Sequence, residues 1–111
     1  MSEPKPWEIW HARFNFDDGK GYKYRPVIVL GSLADGTLVM MVTSATNKLR
    51  LEHDCPIRHW REAGLDKPSI ARVDRIAVTP ASYLGSAGRI GRLAEEDIAS
   101  VSAMLAKIQC I

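Results

Sequence analysis

Two apolar runs joined by a turn constrain this chain more than any other feature. Pro26-Val27-Ile28-Val29-Leu30 is rich in β-branched residues, and Thr37-Leu38-Val39-Met40-Met41-Val42-Thr43 follows after a short gap. Branching at Cβ restricts χ1 and favours the extended chain, and a proline is tolerated where a strand starts. Asp35-Gly36 lies between the runs and is a strong hairpin signal, because tight hairpin turns need positive φ. The spacing predicts two adjacent antiparallel strands.

The remaining chain reads as further short strands and one helix. From Trp7 to Phe16, Trp10, Ala12, Phe14 and Phe16 fall on one face, and His11, Arg13 and Asn15 on the other. Asp17 to Gly21 breaks this strand as a mobile turn. Residues 44–54 are polar and irregular. A short strand is expected near Cys55–Ile57, then one helical turn over Arg58–Ala63 stopped by Gly64. Ser69–Thr79 alternates as a partly buried strand. Ile70, Arg72, Asp74, Ile76 and Val78 share one face, with Ala71, Val73 and Ala77 opposite. Pro80–Tyr83 reads as a turn or short helix, and Gly85, Gly88 and Gly91 make the next stretch loop-like. Ile98, Val101, Leu105 and Ile108 recur at helical spacing, with Glu95, Glu96 and Asp97 in the first turn where the dipole favours acids. The fold class is mainly β: a small barrel or curled sheet carrying a C-terminal α-helix.

Length and composition set the outer bounds. At 111 residues the chain is expected to be a single domain, 1–111, able to bury a core without staples. Hydrophobic residues make up 46% and charged residues 25%, the balance of an ordinary globular protein. No apolar run approaches the ~18 residues of a membrane span, and the N-terminus is polar, so a cytoplasmic protein with no membrane partner is expected. In a reducing cytosol Cys55 and Cys110 are expected to be free thiols. His53, Cys55 and His59 lie close together but lack zinc-site spacing and a fourth ligand, so no metal is expected. An alternative for the histidines is an acid/base pair acting on RNA. Phosphate-binding and dinucleotide glycine motifs and Gly-x-Ser-x-Gly are missing, so no cofactor is expected.

Charge is distributed unevenly. The net charge is only +2, yet Lys20, Lys23, Arg25, Lys48 and Arg50 face a single acid, Asp35, between positions 20 and 50. A local basic excess suits a phosphate-bearing partner. Within it, Gly19-Lys20-Gly21-Tyr22-Lys23-Tyr24-Arg25 alternates cations with aromatics on a flexible loop. Lysines bind phosphates, and Tyr22 and Tyr24 can stack on bases. If the two central strands pair, Arg25 and Thr43 come to the same edge, where a cation and a hydroxyl can cradle a phosphate, with Ser44 adjoining.

These segments resemble a known family. Arg-Pro-Val-Ile-Val-Leu at 25–30 and Val-Met-Met-Val-Thr-Ser at 39–44 look like the two central strands of the MazF/PemK (Kid) toxins. Gly64-Leu65 through Ser69 to Asp74 resembles the family's next strand. Ile90-Gly91-Arg92-Leu93 through Asp97 resembles the opening of its last helix, and Trp7-Glu8-Ile9-Trp10 its first strand. The ordered set covers about residues 7 to 108.

The resemblance implies a small SH3-like barrel that forms a homodimer. It implies a metal-independent endoribonuclease toxin, an mRNA interferase, that cuts single-stranded RNA sequence-selectively to 2′,3′-cyclic phosphate and 5′-hydroxyl ends. It also implies inhibition by a small cognate antitoxin. By this resemblance Arg25 and Thr43 are catalytic. Ser69 matches the serine of the third motif and joins Lys20, Tyr22, Lys23, Tyr24, Ser44, Lys48 and Arg50 as RNA-binding. The loop Gly19-Lys20-Gly21-Tyr22 departs from the family's Gly-Ser-Glu-Gln, which leaves the preferred RNA sequence open. Two other readings share the fold: a CcdB-like gyrase-binding toxin and a non-catalytic binding module. The ending Gln109-Cys110-Ile111 lacks the Trp-Gly-Ile of CcdB, which favours the ribonuclease.

Overall fold

A computed structural model of the protein describes residues 4–15, 19, 21–44, 53–85 and 88–109. The expectations placed on Phe16, Asp17, Asp18, Lys20, Lys48, Arg50 and Cys110, and on the irregular stretch 45–52, lie outside the described residues.

The two apolar runs form the central hairpin, β2 (Tyr22–Leu33) with β3 (Gly36–Ser44). They pair antiparallel from Leu33↔Gly36 to Val27↔Met41. Gly36 turns the chain with φ at 153°, and a Cβ there would strike the Thr79 carbonyl, so glycine is required. β1 (Glu8–Asn15) adds to β2, and β6 (Arg89–Arg92) adds to β1. On the other side β5 (Ser69–Thr79) adds to β3, and β4 (Asp54–Ile57) to β5. Among the described residues this gives one antiparallel sheet in the order β4-β5-β3-β2-β1-β6. A short helix, α1 (Ser82–Gly85), and a long one, α2 (Glu95–Gln109), complete the elements.

The hairpin is buried on both faces. Ile28, Met40 and Val42 join Ile9, Ala71 and Val73 in one cluster, closed by Val101, Ile98, Leu105 and Ile108 of α2. Val27, Val29 and Val39 join Trp10 and Ala12 in a second cluster, closed by Leu84 of α1. Double-sided burial explains why the two runs are continuously apolar rather than alternating. The helical face read from spacing is the one α2 buries.

Three local expectations are corrected. Tyr22 to Arg25 are not loop; they extend β2, because β1 pairs with them from Ala12↔Arg25 to Asn15↔Tyr22. Residues 89–92 are strand despite Gly91, with Glu8↔Arg92 and Ile9↔Gly91 in register on β1. The simple alternation along β5 fails: Ile70, Ala71 and Val73 are all buried, while Ile76, Ala77 and Val78 are exposed. The cause is a bulge, since Met40 pairs with Ile76 while Met41 pairs with Arg72. The extra residues of β5 bend the strand and change which face points inward.

Of the small barrel or curled sheet expected, the described residues form the curled sheet. Among the described residues no ladder joins β4 to β6. The two edges nevertheless approach each other through the turn after β4. Here the Ala63 N–H donates to the His59 carbonyl at 3.1 Å, and Gly64 ends the turn with φ at 94°. A Cβ on Gly91 would fall on the Ala63 carbonyl, so glycine in β6 is what lets the edges meet.

Asp97 holds this turn to α2. It is 1% exposed, and its carboxylate accepts the backbone N–H groups of Arg58 and His59, both at 2.9 Å. Asp97→Ala leaves two part-buried donors without their acceptor and should lower unfolding free energy by about 1–3 kcal/mol. Urea denaturation measures this, and an unchanged midpoint would contradict the role.

Beside it, His59 Nε2 meets Glu96 Oε2 at 3.1 Å and Nδ1 meets Glu62 at 3.6 Å. The Glu96 hydrogen bond, aided by the Glu62, Glu96 and Asp97 charges, raises the His59 pKa above its ordinary 6.5 in spite of desolvation, which lowers it. A raised folded pKa stabilises fully below the unfolded value and is lost as pH rises through the folded one. The melting-temperature gap between wild type and Glu96→Gln should therefore be larger at pH 5.5 than at pH 8. An equal gap at both would show that protonated His59 contributes nothing.

Candidate functional site

The central ladder ends at Val27↔Met41, and there the two strands part. β2 continues back through Pro26 to Tyr22 paired with β1, while β3 continues through Val42 to Ser44 paired with β5. Pro26 stands at the parting and has no N–H to offer a neighbouring strand. The gap opens as a cleft of about 370 Å³. Arg25 lies on the β2 lip and Thr43 with Ser44 on the β3 lip. Gly64 to Lys67 and Ile90 form a wall, and His11 enters from β1.

Of the residues singled out in the sequence, Lys23, Tyr24, Arg25, Thr43, Ser44 and Ser69 line this cleft. Arg25 and Ser44 are exposed, and Thr43 is half-buried. Ser69 is buried, and its hydroxyl donates to the Lys67 carbonyl at 2.9 Å, so it braces the 64–67 wall. Tyr22 is not in the cleft. It lies against Arg13 and touches the Tyr24 ring edge-on, with centroids 5.7 Å apart. Lys20, Lys48 and Arg50 lie outside the described residues.

The cleft also holds His11, Asp66 and Lys67, which were not singled out. The signal for His11 was present: it sits on the polar face of β1, opposite Pro26. Asp66 and Lys67 carry no sequence signal, because only the packing of Gly64 against Ile90 brings their segment over the cleft. The described lining bears Lys23, Arg25 and Lys67 against one acid, Asp66, so the floor favours an anion.

The other titratable groups lie elsewhere. His53 faces Asp74 at 3.7 Å, and His59 faces Glu96, so neither histidine of the alternative acid/base pair lines the cleft. Cys55 is a buried free thiol, and its pKa is raised by burial and then by the Asp97 charge. Among the described residues no group of three or more His, Cys, Asp and Glu side chains could hold a metal ion. Glu8 fastens β6 beside the Ile90 wall. Burial raises its pKa, but the Lys5 N–H at 2.8 Å, the Trp10 indole at 3.1 Å and Arg89 at 2.8 Å together hold it below the ordinary carboxylate value. No helix among the described residues is long and apolar enough to cross a membrane.

The sequence pattern of the PemK-like, MazF-like toxins of type II toxin–antitoxin systems matches residues 5–109. The chain belongs to this toxin family. Its fold is shared with solved structures. Toxin MazF-mt6 of Mycobacterium tuberculosis is 22% identical, with 94% of this chain and 97% of that chain covered at a TM-score of 0.66. A chain of the MazE–MazF structure from Deinococcus radiodurans is 16% identical over 100% of this chain and 99% of that chain, with a TM-score of 0.73. The MazF structure from the same organism is 17% identical over 100% of both chains at 0.66. No curated protein matches the chain.

Proposed function

We propose that this MazF-like toxin is an endoribonuclease that cuts single-stranded RNA using the RNA's own 2′-hydroxyl. The observation that carries this reading is Arg25 and Thr43 on opposite lips of one basic cleft, in a chain of this toxin family. The scissile phosphate sits between the lips. The Arg25 guanidinium donates charge-assisted hydrogen bonds to the non-bridging oxygens as negative charge builds on phosphorus. The Thr43 hydroxyl adds a weaker neutral donor. The 2′-oxygen bonds to phosphorus, the P–O5′ bond breaks, and the 5′-oxygen takes a proton from water. The products are a 2′,3′-cyclic phosphate and a 5′-hydroxyl.

The 2′-hydroxyl proton needs an acceptor, and arginine is a poor one. His11 lines the same cleft, and imidazole is the side chain best suited to take a proton near neutral pH. His11 is assigned that step. Lys23, Tyr24 and Ser44 bind the flanking strand, and Ser69 braces the wall. The nucleophile belongs to the substrate and the donors are side chains, so the scheme calls on no metal or cofactor.

The decisive experiment incubates wild type and Arg25→Ala with one long single-stranded RNA and maps the cut ends. Arg25→Ala should cut at least ~10²-fold more slowly, the cost of one transition-state donor, and Thr43→Ala should lose the same or less. Circular dichroism should show both folded. Cleavage should persist in EDTA and leave 5′-hydroxyl ends. Equal cutting by a folded Arg25→Ala would sink the site assignment. No cutting by wild type on many RNAs would return the non-catalytic binding reading.

The proton acceptor has its own signature. His11→Gln should lower kcat by at least ~10²-fold while RNA affinity holds. An unchanged kcat would move the step to another group, such as Asp66.

The working assembly is proposed to be a homodimer inhibited by a cognate antitoxin. The exposed Ile76 and Val78 on β5 and the MazE–MazF pairing of the Deinococcus relative support it. Sedimentation at micromolar concentration should give twice the chain mass, and a monomer alone would count against it.

A further inference from the structure

The wall of the cleft carries two charged side chains that the fold itself does not use. The wall segment is tied at both ends. The Gly64 N–H donates to the Arg61 carbonyl at 3.1 Å, and the Leu65 N–H donates to the Trp60 carbonyl at 3.0 Å. Leu65 is buried in the cluster beneath α2, and Gly64 lies against Ile90. At the far end Pro68 fixes its own φ, and the Ser69 hydroxyl donates to the Lys67 carbonyl at 2.9 Å. Between these ties stand Asp66 and Lys67. Both line the cleft and both are exposed. Neither side chain makes an ion pair or a hydrogen bond among the described residues. A carboxylate that only accepts and an ammonium that only donates therefore stand side by side on a held backbone.

The cleft also offers a base a surface to lie on, since Pro26, Leu65 and Ile90 line it. An unpaired base presents its Watson–Crick edge to such a wall. Guanine alone presents two adjacent donors there, N1–H and the 2-amino group, followed by an acceptor, O6. One carboxylate takes both donors, and a neighbouring ammonium suits O6. Adenine and cytosine turn a ring-nitrogen acceptor towards the carboxylate, and uracil offers a single N–H between two carbonyls. A lone pair facing a carboxylate is repelled, so the same pair of side chains that favours guanine also disfavours the other bases.

Resting on the ribonuclease reading, the geometry points to a guanine next to the scissile phosphate as the base this cleft selects, with Asp66 and Lys67 as the residues that read it. The Asp66 carboxylate accepts from guanine N1–H and the 2-amino group, and Lys67 Nζ donates to O6. Arg25 and Thr43 hold the phosphate on the lips while the base turns to the wall. Asp66 and Lys67 act on the choice of bond, and neither moves a proton in the reaction.

The test maps the cut sites of wild type on a pool of random single-stranded RNA, then replaces the guanine at the preferred site by inosine, which lacks only the 2-amino group. Guanine should adjoin the cut, and inosine should lower kcat/KM by at least about tenfold, the size of one lost hydrogen bond to a charged acceptor. Asp66→Ala should cut the guanine and inosine substrates at equal rates. Lys67→Ala should slow both alike and keep their ratio, because inosine retains O6. Circular dichroism should show both variants folded, as expected for exposed side chains. Cut sites without an adjoining guanine, or an inosine substrate cut by wild type as fast as guanine, would overturn the assignment and leave the ribonuclease standing. An Asp66→Ala that slows both substrates but keeps their ratio would mark Asp66 as acting on the reaction rather than on the base, and would also overturn it. A wild type that cuts no RNA in the pool would overturn the ribonuclease reading and this one with it.

Discussion

Burial of one hairpin on both faces is the constraint on which the rest of the molecule depends. Val27, Ile28, Val29, Val39 and Met40 are all at 0% exposure, and full burial of each such side chain stabilises by about 1.5–3 kcal/mol. No two-stranded ribbon achieves that alone, so β1 and β5 must flank it, α2 must cover one face and α1 the other. The same hairpin makes the cleft. Its strands stay locked up to Val27 and Met41 and then are drawn apart by different partners, β1 and β5. Arg25 and Thr43 sit just beyond the lock, on rigid backbone rather than on free loops. A donor pair held this way needs little reorganisation when charge develops between its members.

The frame was legible in the sequence where one residue property dominates. β-Branched runs gave the hairpin, Asp35-Gly36 its turn, and the helical spacing of Ile98, Val101, Leu105 and Ile108 the face of α2. Legibility failed where a partner decides the outcome. Tyr22 to Arg25 look like a loop because cations and aromatics alternate next to glycines, yet β1 recruits them into β2. Gly91 looks like a breaker, yet its missing Cβ lets β6 lie against the Ala63 carbonyl. The bulge in β5 is invisible to a count of alternating residues, since it depends on the register with β3.

The candidate site divides along the same line. Arg25 and Thr43 were reachable from the sequence because both flank the hairpin, so pairing the strands places them at one edge. His11 was half-legible, being on the polar face of β1 with nothing to say that the face borders a cleft. Asp66 and Lys67 were not legible at all. Their segment reaches the cleft only because Gly64 packs on Ile90, Ser69 ties the Lys67 carbonyl, and Asp97 holds the preceding turn against α2. Each of those ties spans elements distant in sequence or rests on a backbone atom, and neither leaves a local pattern.

A division of labour between frame and lining follows. Solved MazF structures share this fold at 16–22% identity, so the frame asks mainly for apolar volume at the right positions, a demand many sequences meet. The lining faces no such demand. Lys23, Tyr24 and Tyr22 project from the stretch of β2 that has left β3, and none of them belongs to either buried cluster. Arg13 and His11 project from the matching stretch of β1. Residues free of the core can change the ligand chosen without endangering the fold. Selectivity in this protein is therefore expected to reside in the parted ends of β1 and β2 and in the wall at Asp66 and Lys67, while the proposed function assigns the power to cut to Arg25 and Thr43 at the point of parting.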